Sequence, residues 1–238
     1  MINKIIKRIK GSDYSIDRNI TFFAKISILF ERFFMLLRGN LFRLFKTNSN
    51  GLLFISKNVK VKFGKKITFG KNCTIHRNCY INGLVKEKIL IGNNFTLGMN
   101  SIIEGFGILS NLGDSLKIGN NVGISPNALL SIRGSIVIGD DTIIGPYFSI
   151  HPENHSFNDN NSLIRMQGVT RQGVVIGKNC WIGAKVTILD GVSIGNNCVV
   201  AAGAVITKSF SENSIIGGVP ARIISNRMGG NDENINDK

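Results

Sequence analysis

Acidic residues are scarce in this chain, and so are proline, cysteine, histidine and tryptophan. Only 15 Asp and Glu stand against 29 Lys and Arg, for a formal charge of +14. Four prolines in 238 residues cannot supply the turns, so that work falls to 27 glycines and to asparagine. Four cysteines without framework spacing exclude a small disulfide scaffold. The combination of an n-region, a short apolar core and a small-residue cleavage site does not open the chain, so no secretory leader is expected. A reducing, cytoplasmic location is the default. At 43% hydrophobic and 18% charged, the composition also excludes a disordered chain.

The positive charge is concentrated. Residues 1–66 carry 15 Lys or Arg against Asp13, Asp17 and Glu31. A basic chain often signals nucleic acid. Here the cations sit beside the apolar stretch 20–46, which points to an anionic membrane surface at the inner face and not to nucleic acid. A spanning helix needs about 20 mostly uncharged residues. Lys25, Arg32, Arg38 and Arg43 interrupt this stretch too often for that. Residues 1–50 are therefore expected to be a helical segment, broken at Gly39-Asn40. It either caps the following domain or anchors it peripherally at a membrane through residues 1–46.

What the chain has in abundance is a six-residue step. Aliphatic residues, often followed by Gly, recur as Ile91, Leu97, Ile103, then Ile118, Ile124, Leu130, then Ile138, Ile144, Ile150. The run Ile176, Ile182, Ile188, Ile194, Val200, Ile206 continues it. Between 69 and 150 the hexads come in threes, each set followed by an insertion. Three hexads make one turn of a three-sided coil, so these insertions leave from one corner. The expected fold is an all-β core over 51–206, a left-handed parallel β-helix of hexapeptide repeats, preceded by the N-terminal helical segment.

Positions within the hexad fit this reading. Asn72, Asn78, Asn94, Asn121, Asn179 and Asn197 occupy the fourth position, where a corner needs left-handed φ and ψ. The fifth position is small or medium, and all four cysteines lie there. They read as buried small hydrophobes, not as nucleophiles or metal ligands.

Candidate chemistry sits in the longest insertion, the active-site loop 151–175. It opens with HPENHSFND, which holds His151, Glu153, His155 and Asp159. Long loops on a rigid scaffold are common homes of function. A histidine there can act as a general base. His76 is expected to point outward as a surface residue.

The motifs NHSF (154–157), WIGA (181–184), AGAVITK (202–208) and GGVPAR (217–222) follow in that order. Together they resemble the hexapeptide-repeat acyltransferases, in the branch that O-acetylates bacterial surface sugars, similar to maltose and galactoside acetyltransferases. The resemblance covers residues 50–225. It implies acetyl-CoA as co-substrate, no metal, a sugar or glycan acceptor and a homotrimer with sites between subunits. It places His155 as the catalytic base. Ala184, Ala202, Thr207, Lys208 and Arg222 fall on the coenzyme side, and Asn127 and Glu153 on the acceptor side. Trp181 marks the same stretch. Many members read D-H-N-H where this chain has Pro152-Glu153-Asn154-His155. Residues 207–225 are the coenzyme-side C-terminal segment, expected to pack back as a strand or helix. The polar tail 226–238 is expected to be disordered.

Other readings stay open. A serine or xenobiotic acetyltransferase would share the donor site. A γ-type carbonic anhydrase uses three histidines around zinc, but His76 lies several coils from His151 and His155. An inactive scaffold is disfavoured by the motifs kept together.

Overall fold

The computed structural model describes residues 17–45, 47–105 and 107–227. The stretch 1–16 of the basic segment and residues 228–238 of the expected tail lie outside them.

The hexads build a left-handed parallel β-helix. Its strands of two or three residues fall into three faces. Face A runs from Asn48–Ser49 to Ser193–Ile194, face B from Leu53–Ile55 to Val199–Val200, and face C from Lys60–Lys62 to Val205–Ile206. Successive strands visit A, B and C in turn, and each pairs in parallel with its counterpart one coil away. Ile118, for instance, stands between Ile91 and Ile138. The aliphatic residue of every hexad points into the prism and is buried, from Ile55 to Ile206. Stacking like on like removes these side chains from water along one continuous core.

The corners explain the asparagines. Asn72, Asn78, Asn94, Asn121, Asn179 and Asn197 all have φ between 53° and 61°. Their amides form ladders along the edges. On the A–B edge Asn72 donates to Asn94, Asn94 to Asn121, and Asn121 to Asp141. On the B–C edge Asn58, Asn78, Asn100 and Asn127 form a second ladder. The fifth hexad positions are buried as expected, including Cys73, Cys79, Cys180 and Cys198, which are free thiols. Burial pushes the Cys73 thiol up to about 11. The glycine after the aliphatic residue sits where coils touch. A Cβ on Gly92 would fall on the Gly119 carbonyl of the next coil.

Every large insertion leaves from the C–A edge: 83–88, 105–115 and 152–173. The C-terminal segment packs back as a hairpin, Ser214–Gly218 and Ala221–Asn226, which extends face B.

The N-terminal segment corrects one expectation. Helix α1, Phe22–Phe45, runs unbroken through Gly39-Asn40. Gly39 is a contact point, not a break: a Cβ there would fall on the Leu53 carbonyl oxygen. The helix lies along the first coils of face B. Met35 and Gly39 are buried, and Phe42 packs against the core. Arg32 stacks over Phe54 at 5.5 Å and donates to Thr74, while Arg38 donates to the Ile55 carbonyl at 3.1 Å.

Candidate active site

His155 sits on a hairpin that projects from the C–A edge. Its strand, Asn154–His155, pairs antiparallel with Val169–Thr170, and the Ser156 amide donates to the Gly168 carbonyl. The base of the hairpin is clamped from two sides. Arg171 reaches the Glu153 carboxylate at 2.6–2.7 Å through Nη2 and Nε. Its Nη1 donates to Asn111 Oδ1 at 3.0 Å and to the Leu112 carbonyl at 2.8 Å. Both side chains of the ion pair are largely buried, at 11% and 19% exposure. On the other side, the Asp190 carboxylate accepts from the Gln172 and Gly173 amides at 2.9 Å. The hairpin is thus tied to the insertion two coils below and to the coil above. His155 itself is exposed, and among the described residues nothing hydrogen-bonds its imidazole. His151 lies at the root of the same loop, level with Leu189, and burial holds its imidazole below the ordinary histidine range.

Glu153 is therefore bound to Arg171, a residue that sequence motifs gave no reason to single out. The available signal was indirect: a cation within the loop close in sequence to a carboxylate at its start.

The coenzyme-side candidates fall into three places. Ala184 and Ala202 occupy the B–C edge in consecutive coils, linked by a bond from the Gly203 amide to the Ala184 carbonyl. Asn127 stands on the same edge two coils down, with φ 64°, as a rung of the asparagine ladder. At the position of Ala184 the two preceding coils carry Pro126 and Pro146, which have no amide hydrogen. The Ala184 and Ala202 amides do have one, and among the described residues neither donates it. The site thus offers two unused backbone donors, one coil apart, beside methyl-sized side chains. Thr207 and Lys208 lie on the C–A edge, with the Lys208 ammonium 5.8 Å from the Phe210 ring centre. Arg222 sits on the C-terminal hairpin opposite Gly217.

Within one chain, then, His155 and Ala184 stand on opposite edges of face C.

Face B adds a feature that the sequence did not reveal. Trp181 points outward and is 58% exposed, while its neighbour Ile182 is buried. A groove of about 420 Å³ runs from Trp181 past Ile143, Gly123 and Pro126 to His76. His76 faces outward as expected but is half-buried. Burial first, then the Arg32 charge, lowers its pKa. Among the described residues no group of three or more His, Cys, Asp or Glu is placed to hold a metal ion.

Residues 173–208 match the family model described as the hexapeptide repeat of succinyl-transferase. Among curated proteins the chain is similar to the putative lipopolysaccharide biosynthesis O-acetyl transferase WbbJ of Escherichia coli. The two are 37% identical over 59 residues, 25% of this chain and 30% of that protein. It is also similar to a probable acetyltransferase of Mycobacterium tuberculosis, 33% identical over 74 residues, 31% of this chain and 25% of that protein. The matched segments thus span less than a third of either relative's length. Among solved structures, the chain resembles AntD, an N-acyltransferase from Bacillus cereus, in complex with dTDP and 3-hydroxybutyryl-CoA. The TM-score is 0.54 at 20% identity, over 79% of this chain and 87% of that one. That likeness is one of fold.

Proposed function

We propose that this chain is an acetyl-CoA-dependent O-acetyltransferase that acts on a sugar hydroxyl of a bacterial surface-glycan precursor. The observation that carries this reading is the pair of unused amides at Ala184 and Ala202, on a ledge of small residues. An extended thiol arm with its own amide carbonyls needs such donors. The similarity to WbbJ supports the reading, since that relative is described as an O-acetyl transferase of lipopolysaccharide biosynthesis.

The proposed chemistry is direct transfer. His155 removes the proton from the sugar hydroxyl as its oxygen attacks the thioester carbonyl. A backbone amide on the B–C edge takes the developing oxyanion. As the tetrahedral intermediate collapses, the carbon–sulfur bond breaks and the imidazolium returns its proton to the sulfur. Lys208 and Arg222 supply cations for the coenzyme phosphates, a point charge and a fork. Thr207 stands beside Lys208 on the same side. Because His155 and Ala184 lie on opposite edges of face C, this reading requires a second chain, and a homotrimer with the site between subunits meets that need. Asn127 and Glu153 stay on the acceptor side, with their side chains already committed to the corner ladder and to Arg171.

The basic, apolar N-terminal segment supports an acceptor made at the inner membrane surface, with peripheral contact through that segment. Thiol release from acetyl-CoA, screened against sugar, antibiotic and amino-acid acceptors, tests the assignment. Release that depends on a sugar is expected; release only with an aminoglycoside or serine would move the protein to another substrate class.

A further inference from the structure

Helix α1 is half explained by the β-helix it packs on. At 100° per residue, Met35, Gly39 and Phe42 share one line, and that line is buried. The opposite side has no partner among the described residues. Phe23, Phe30, Phe34, Leu37, Leu41 and Leu44 are between 45% and 81% exposed. They span an arc of about 80°, which the exposed Phe33, Phe22 and Leu29 widen to about 140°. The arc holds no charged residue. Lys25 and Arg43 flank it on one side; on the other stand Glu31 and Arg38, and Arg32 and Arg38 are turned to the β-helix through Phe54, Thr74 and the Ile55 carbonyl. Lys57 is exposed on the first coil beside the helix.

Monomeric proteins rarely expose so large a contiguous apolar surface. No helix among the described residues is long and apolar enough to cross a membrane. An aromatic-rich apolar face with cations along one rim has the composition of a helix that lies in the plane of a bilayer interface. A second copy of the helix is a poorer occupant, because pairing two such faces would bring cationic rims together.

We infer that the outward arc of α1 is a docking face for an anionic lipid bilayer, with the Phe and Leu side chains among the acyl chains and Lys25 and Arg43 at the headgroups. This deepens the membrane placement given above and rests on it. It also sets an orientation. A cavity of about 590 Å³ begins under Phe30 and Phe34 and shares His76 and Met99 with the groove that ends at Trp181. With the arc on the bilayer, that passage opens at the lipid surface.

The test is co-sedimentation of the full-length protein with vesicles of phosphatidylcholine alone or mixed with phosphatidylserine, with no substrate present. Wild type is expected to bind the anionic vesicles at least about tenfold better than the neutral ones, and to release as salt rises. The double variant Leu37→Glu, Leu44→Glu is expected to lose binding by about tenfold or more while keeping the wild-type mass in light scattering. Both residues are exposed, and a wild-type circular dichroism spectrum checks the fold. Wild type that ignores anionic vesicles would overturn the membrane placement itself. Wild type that binds while the double variant binds equally would overturn the docking face alone. A double variant that changes oligomeric mass would assign the arc to contacts between copies.

Discussion

A glycine in a helix interior normally costs about 1 kcal/mol relative to alanine, so replacing it usually helps. At Gly39 the sign should reverse. The helix backbone touches the first strand there, and an added methyl would fall on the Leu53 carbonyl oxygen. Gly39→Ala is expected to cost about 2 kcal/mol or more in urea unfolding, because backbone has to move; stabilisation would refute the contact. From sequence the same glycine read as a helix break. Its real partner lies across the fold, and local propensity carries no trace of that. The histidines make the same point. Burial lowers the pKa of both His76 and His151. Their neutral forms are therefore favoured in the fold, and the unfolded chain binds protons first. The stability they contribute is full above the ordinary histidine pKa of about 6.5 and is lost as pH falls through it. Urea midpoints taken between neutral and mildly acidic pH are expected to fall with acidification, and to fall less in a His151→Gln variant.

Regular elements were legible in advance because the hexad repeats its physics. An aliphatic residue must point inward, a small residue must sit beside it, and a corner must tolerate positive φ. Sequence therefore shows the coil, the corner asparagines and the buried cysteines at once. The insertions were legible as gaps, and all leave from the C–A edge. What holds the long hairpin was not legible, since the Arg171 contacts cross about 60 residues of chain to Asn111 and Leu112. Arg171 touches no candidate reacting group and acts by position. Arg171→Ala leaves the Glu153 carboxylate unpaired in a largely buried site and is expected to destabilise the protein by on the order of 3 kcal/mol. It should also lower kcat more than it changes the KM for acetyl-CoA. The paired change Arg171→Met with Glu153→Leu should restore most of the stability; a double variant as weak as the single one would contradict the clamp.

At the scale of the whole molecule, the prism acts as a rail with different chemistry on different edges. The B–C edge carries the free amides of Ala184 and Ala202, and the C–A edge carries the His155 hairpin. The proposed site draws on both edges and therefore on two chains. Mixing His155→Ala chains with Ala184→Arg chains before assembly is expected to recover part of the activity that each lacks alone, because some interfaces then pair an intact hairpin with an intact ledge. A site confined to one chain would recover none. In the proposed reaction His155 performs the proton transfer while other residues hold the coenzyme. The most direct measurement of that role is kcat of the His155→Ala enzyme together with its acetyl-CoA affinity by calorimetry. A fall in kcat of about 10²–10⁴-fold with nearly unchanged affinity is the predicted result. Turnover near that of wild type would contradict it.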